Sequence, residues 1–190
     1  MPRYAAFLRG INVGGTRVSK DDLCAPFRAL GLENVTTFRA SGNVVFDAPS
    51  EPATKLAKRI EQALADELGF TKARTFIRTA AEMRALADDD PFPREPDQKL
   101  HVVFCLRKPP AQVLELATES DQLKIGKREL YWAPDGRMLD SELDLSAVEK
   151  LIGPNTMRTK GTVDQIAARW FLDAGRGSVE KGPGKRSIRD

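Results

Sequence analysis

The residues best suited to binding a ligand lie in L-R-G-I-N-V-G-G, residues 8–15. Arg9 offers a forked set of donors that suits phosphate or carboxylate, and successive loop N–H groups can assist it. The segment is not a P-loop, because residues 10–16 are one residue short of G-x-x-x-x-G-K-[ST] and lack its lysine. The G-x-G-x-x-G dinucleotide fingerprint is also missing. The alternative is a strand-end arginine paired with a neighbouring carboxylate or carbonyl.

A second polar turn, Ser41-Gly42-Asn43, separates two predicted strands. In the predicted topology the first strand ends beside the start of the third, so this turn should face residues 9–15. Ser41 and Asn43 either hydrogen-bond their own backbone, as turn residues do, or face a ligand. Convergence of the two turns favours a shared site, because ligand sites gather a few polar groups in a cleft.

Other chemistries have little support in the sequence. His101 is the only histidine and lies in an apolar strand, which favours a structural role over general-base catalysis. Cys24 and Cys105 have no partners at metal-ligand spacing and are expected to be core residues. The acidic run 88–90 adjoins a proline-rich linker and is typical of a solvated segment. We therefore expect no metal and no cofactor.

Nucleic-acid recognition is expected to be weak or absent. Residues 175–190 carry five basic and two acidic side chains, which accounts for the whole net charge of +3, so the rest of the chain is neutral. When R-A-S-G-N-V-V-F, residues 39–46, is aligned with the RNA-recognition octamer, Ser41 and Asn43 occupy the positions of its base-stacking aromatics. Contact between Arg9 or Arg39 and a nucleic-acid backbone remains an alternative.

The hydrophobic pattern predicts strand, helix, strand, strand, helix, strand, and the same order again after a proline-rich break. Strands are expected at 4–9, 35–39, 44–47, 73–78, 100–107, 122–125, 129–133 and 156–160. Helices are expected after Ser19, from Pro52, after Thr79, at 110–118, from Ser141 and from Thr162.

This order is that of the ferredoxin-like (α-β plait, βαββαβ) fold. The predicted class is α+β, with two ferredoxin-like halves, a C-terminal helix and a disordered basic tail. The expected boundaries are residues 1–90 for the first half, 91–98 for a linker, 99–175 for the second half with its final helix, and 176–190 for a flexible tail.

No apolar run approaches the roughly 20 residues that span a bilayer, and the chain opens without a signal peptide, so we expect a cytoplasmic protein that does not bind membranes. The oligomeric state is not predicted.

The paired motifs L-R-G-I-N-V-G-G and S-G-N-V-V-F resemble the signature of domain-of-unknown-function family 1697, which consists of bacterial proteins of this length. Further agreement comes from D-P-F at 90–92, H-V-V-F at 101–104 and T-M-R-T-K-G-T-V at 156–163. The resemblance implies two ferredoxin-like halves and no established activity. Members of this family usually have Arg-Asn-Trp-Asn-Thr-Val where this chain has R-T-K-G-T-V at 158–163, so the arginine and the helix-capping threonine are kept while the amide and the aromatic are absent.

The sequence thus favours a non-catalytic protein that binds a small anionic ligand or a nucleic-acid phosphate at a rim formed by residues 9–15 and 41–43. An enzyme using the same rim and a protein-interaction module using exposed sheet edges are the alternatives. Matching residues to the family motifs gives the candidate ligand-binding residues Arg9, Asn12, Gly14, Gly15, Ser41, Gly42, Asn43 and Arg158.

Overall fold

Two four-stranded antiparallel sheets with accompanying helices form the fold in a computed structural model that describes residues 1–11, 18–39, 42–93 and 98–172. This confirms the mixed α+β class. The candidate residues Asn12, Gly14, Gly15 and Ser41, and the tail at 176–190, lie outside the described residues.

The first sheet has the order β2-β3-β1-β4. Its strands are β1 (Arg3–Arg9), β2 (Glu33–Thr37), β3 (Asn43–Asp47) and β4 (Arg74–Thr79), and its helices are α1 (Lys20–Ala29), α2 (Ala53–Leu68) and α3 (Ala80–Asp88). Local signals fix the helix ends. The Ser19 hydroxyl accepts from the first turn of α1, Gly69 ends α2 in a left-handed conformation, and Thr79 opens α3 with a capping box.

The second sheet repeats the pattern, with the order β6-β7-β5-β8. Its strands are β5 (His101–Cys105), β6 (Asp121–Ile125), β7 (Glu129–Pro134) and β8 (Asn155–Thr159), and its helices are α4 (Leu145–Ile152) and α5 (Lys160–Trp170). The helix expected at 110–118 is a 3₁₀ helix, Ala111–Leu116. It buries only Val113, so no apolar stripe supports a longer α-helix.

Two predicted helix starts are wrong. Helix α4 does not begin at Ser141, whose hydroxyl donates to the Asp121 carboxylate, but after Asp144, which accepts two N–H groups of the first turn. Helix α5 begins two residues before the expected start, because the Thr159 hydroxyl accepts from the Thr162 N–H and caps the helix. Thr162 is therefore in the first turn.

The core is arranged in layers, and both faces of both sheets are covered. Tyr4, Ala6 and Leu8 of β1 pack on one side against α1 and α2. The opposite face of β1 packs on the second sheet, where Phe7 stacks on Phe104 with 3.9 Å between ring centroids. Helices α3 and α5 flank this shared core, and α4 covers the far face of the second sheet. The two halves therefore share one hydrophobic cluster.

Candidate ligand-binding cleft

The end of β1 and the turn before β3 lie together, as the topology predicts. The Leu8 N–H donates to the Gly42 carbonyl at 2.8 Å, and Phe7 is opposite Asn43 in the strand register. Gly42 has a φ of 69°, and a Cβ there would lie 2.7 Å from the Ile11 side chain. The backbone conformation therefore favours glycine at this position, and a larger residue would also displace the end of the Ile11 side chain.

Arg9 spans the two halves. Its guanidinium donates to both carboxylate oxygens of Glu149 in α4, at 2.8 and 3.1 Å, and to the Asn155 carbonyl at 3.2 Å. This is the neighbouring-carboxylate alternative raised by the sequence, although the partner comes from the other half. Since both side chains are roughly 40% exposed, solvent screens the pair.

Arg158 of β8 makes a denser set of contacts with the first half. Its Nε donates to the Asn43 side chain at 2.6 Å, and Nη2 donates to the carbonyls of Leu8 and Gly42 at 3.0 and 3.3 Å. Its guanidinium also lies 5.9 Å from the centre of the Phe7 ring. Loss of hydration on burial lowers the pKa of Arg158 to about 10. Arg9, Gly42, Asn43 and Arg158 are thus brought together by contacts between the halves.

A second interdomain arginine, Arg78, was missed by the sequence analysis. It is fully buried, and its Nε donates to Glu129 at 2.7 Å while Nη2 donates to the carbonyls of Cys105 and Arg128. Its guanidinium lies 5.0 Å from the centre of the Phe104 ring. Burial lowers the pKa of Arg78, and Glu129 opposes that effect. The available signal was a charged residue directly after the apolar pair Phe76-Ile77, at the end of the predicted strand 73–78.

A cleft of about 660 Å³ opens beside this interface. Its apolar lining comes from Phe92 and Pro93 of the linker, from Leu100 immediately before β5, and from Ala133 of β7. The volume lies within the range of about 300–1,000 Å³ that is typical of small-molecule sites. The sequence pattern indicated the linker only as a boundary between the halves, and it did not predict that the linker lines a cleft.

Among the described residues, the charged lining of the cleft is mainly cationic, with Arg39, Lys99 and Lys160 against one carboxylate, Asp164. Arg39 and Lys99 are exposed, whereas Lys160 is buried and donates to Asp164 at 2.5 Å and to the Ala87 carbonyl at 3.3 Å. Arg39 has a φ of 56°, an unusual conformation for a residue with a side chain. The cleft therefore has charged groups at the surface and a neutralised ion pair in its wall.

The remaining titratable candidates, His101 and the two cysteines, are buried. His101 is buried and tilted against Trp132, and burial together with Lys99 lowers its pKa. Both cysteines are buried and free, as expected for core residues, and burial raises the pKa of Cys105 to about 12. Among the described residues, no group of three or more His, Cys, Asp or Glu side chains could hold a metal ion, and no helix is long and apolar enough to cross a membrane.

Comparison with known proteins agrees with the paired N-terminal motifs. A family model described as a protein of unknown function (DUF1697) matches residues 1–131. The chain belongs to this family. Among solved structures, it is similar to "conserved bacterial protein SP0830 from Streptococcus pneumoniae", with a TM-score of 0.66 and 24% sequence identity over 89% of this chain and 98% of that one. That likeness establishes the fold alone. No curated protein matches the chain.

One further stretch bears on the cleft, although it lies outside the residues that the family model matches. Thr159, Lys160 and Gly161 all line the cleft. Gly161 is exposed, and a Cβ placed on it would meet nothing within 4 Å. This stretch therefore forms part of the wall of the cleft and contributes the buried Lys160–Asp164 pair.

Proposed function

We propose that this protein is a non-catalytic binding protein for a small anionic ligand, held in the cleft between Arg39, Lys99 and Lys160. The observation that carries the proposal is a cleft of ligand size whose lining, in the part of the chain that the structure describes, has three cations and one carboxylate. Electrostatic focusing in such a concave site raises the local concentration of anions. Lys160 and Asp164 form an ion pair, so Arg39 and Lys99 supply the attraction for the ligand.

The rim of residues 9–15 and 41–43 is the second candidate location for the same function, and there a nucleic-acid phosphate is the alternative ligand. Of its described members, Arg9 is bonded to Glu149 and Asn155, and Asn43 accepts from Arg158. A ligand at this rim would have to compete with those contacts or use the neighbouring loop groups. This competition makes the cleft the better-supported location.

A thermal-shift assay with inorganic phosphate, citrate, benzoate and a single-stranded oligonucleotide tests the function. We expect at least one small anion to stabilise the wild type. In the Arg39→Gln, Lys99→Gln double variant we expect the affinity for that anion to be lower by about tenfold or more. Arg137→Gln is the matched control, since this exposed arginine lies outside the cleft.

The variants separate the two locations. Retained binding in the Arg39→Gln, Lys99→Gln protein together with loss in Arg9→Ala would move the site to the rim. If only the oligonucleotide stabilises the protein, the ligand is a nucleic-acid phosphate. If no probe stabilises the wild type, the proposed function is wrong.

We also infer that each half is a ferredoxin-like plait. Support comes from the element order strand, helix, strand, strand, helix, strand in the first half, and from the matching strand orders β2-β3-β1-β4 and β6-β7-β5-β8. The second half has a 3₁₀ helix at the position of the first crossover helix.

A further inference from the structure

We propose that the ligand is an organic carboxylate with an apolar body of one or two rings or a medium-length chain, bound with its body inside the cleft and its charge at the mouth. This inference rests on the proposed anion-binding function and narrows its ligand class. It excludes inorganic phosphate and highly charged small anions such as citrate as the preferred ligands.

Size is the first argument. The cleft volume of about 660 Å³ is many times the roughly 30 Å³ that one water molecule occupies in the liquid, and a lone phosphate is only a few times larger than water. Such an ion would leave most of the cleft filled with water. A ligand that fills the site must therefore carry a substantial non-ionic body, because a pocket usually covers most of its ligand's surface.

The chemistry of the walls gives the second argument. Phe92, Pro93, Leu100 and Ala133 present carbon surface, which favours the burial of hydrocarbon at about 25 cal/mol per Å². A second or third charge on the ligand would have to lose hydration against this surface. The apolar wall thus favours a ligand with few charges.

The positions of the cations give the orientation. Arg39 and Lys99 are exposed, whereas the ammonium group of Lys160 is held by Asp164 and by the Ala87 carbonyl. A carboxylate gains more from cations that lack such a close counter-charge, so it is expected at the mouth beside Arg39 and Lys99. The apolar body then points inward, and binding should fall moderately with added salt because the attracting charges are exposed.

Gly161 offers a way to close the cleft without disturbing the fold. It lies in the first turn of α5 and lines the cleft, its φ is not in the left-handed region, and a Cβ would meet nothing within 4 Å. Leucine has a better helix propensity than glycine, so Gly161→Leu should fold while placing a side chain in the binding space. Ala168→Leu, at an exposed position of the same helix outside the cleft, is the matched control.

Calorimetric titration of the full chain with benzoate, 2-naphthoate, decanoate, 2-naphthamide, citrate and inorganic phosphate tests the proposal. We expect 2-naphthoate or decanoate to bind roughly tenfold or more tightly than benzoate, because more apolar surface is buried. Gly161→Leu should weaken that binding at least tenfold, while Ala168→Leu should leave it unchanged. The neutral 2-naphthamide should bind at least tenfold more weakly than 2-naphthoate.

The outcomes distinguish this inference from the proposed function. If phosphate or citrate binds as tightly as 2-naphthoate and decanoate, or if Gly161→Leu binds as the wild type does, the ligand class is wrong while anion binding stands. If 2-naphthamide binds as tightly as 2-naphthoate, the cleft is an apolar site, and both the carboxylate and the anion-binding function are overturned. If no anion binds, both also fail.

Discussion

Replacing Glu129 by leucine is expected to lower the free energy of unfolding by about 3–5 kcal/mol, because it leaves the Arg78 charge buried without its partner. The Arg78 side chain is 0% exposed, and its Nε lies 2.7 Å from Glu129 Oε1. Although burial lowers the pKa of Arg78, a guanidinium stays protonated at neutral pH, so the variant cannot escape the cost by losing the proton. The loss would be a large part of the roughly 5–15 kcal/mol that stabilises a typical domain.

A double-mutant cycle separates this charge effect from simple loss of contacts. Arg78→Met combined with Glu129→Leu buries neither charge, so we expect the double variant to be more stable than additive single effects predict, by about 1–3 kcal/mol. It should stay below the wild type in stability, because Arg78 also donates to the carbonyls of Cys105 and Arg128. Arg137→Met, which breaks an exposed pair with Asp140, is the control and should change stability by less than about 0.5 kcal/mol.

Urea unfolding followed by far-ultraviolet circular dichroism gives the four free energies needed, and urea adds no screening salt. Two results would refute the reasoning about Arg78 and Glu129. One is a cost below about 1 kcal/mol for Glu129→Leu, and the other is strict additivity of the two substitutions. Either would mean that the ion pair contributes little to joining the halves.

Three further predictions concern stability. Burial lowers the pKa of His101 from 6.5, so the unfolded chain takes up this proton at a higher pH than the folded protein does. The stability that neutral His101 contributes is therefore full above about pH 6.5 and is lost as the pH falls. His101→Gln should reduce the change in the urea midpoint between pH 7 and pH 5. Gly10→Ala should lower the free energy of unfolding in urea by about 1 kcal/mol more than Gly69→Ala does. Both glycines have a positive φ, but of these two only Gly10 would place a Cβ 2.9 Å from a backbone oxygen. Equal losses in the two variants would contradict this contact. Arg158→Met should cost about 2–3 kcal/mol, because it removes hydrogen bonds to Asn43, Leu8 and Gly42 across the interface. Arg9→Ala should cost less than about 1 kcal/mol, because solvent screens the exposed pair with Glu149; the reverse order in thermal unfolding would contradict these contacts.

The order of elements could be predicted from the sequence because its signals are local. Thr79 and Glu82 form the expected capping box, and Gly69 ends α2 as expected. The meeting of β1 with the Gly42 turn followed from the strand order alone. The predicted start of α5 was wrong because two residues offered equivalent local signals. Thr159 and Thr162 both have a hydroxyl that can cap a helix, and the local sequence does not decide between them.

The interface between the halves could not be predicted, because it depends on which sheet faces meet. The continuous apolar sequence of β1 indicated burial on both faces, as β1 and β5 show, but not that Phe7 would stack on Phe104. The partners of Arg9 and Arg78 lie 140 and 51 residues away in the chain, beyond any local pattern. The cleft was missed for the same reason, since its walls come from distant segments.

The polar contacts between the halves bear directly on the cleft. Arg78 and Arg158 each lie beside one ring of the Phe7–Phe104 stack and donate to carbonyls across the interface. Hydrogen bonds of this kind tolerate little sliding, so they fix one relative orientation of the sheets more strictly than apolar packing alone would. Because Arg39 comes from the first half and both lysines from the second, that fixed orientation also sets the distance between the cations that line the cleft. We therefore expect the proposed ligand to gain affinity from a site that has little ordering left to undergo.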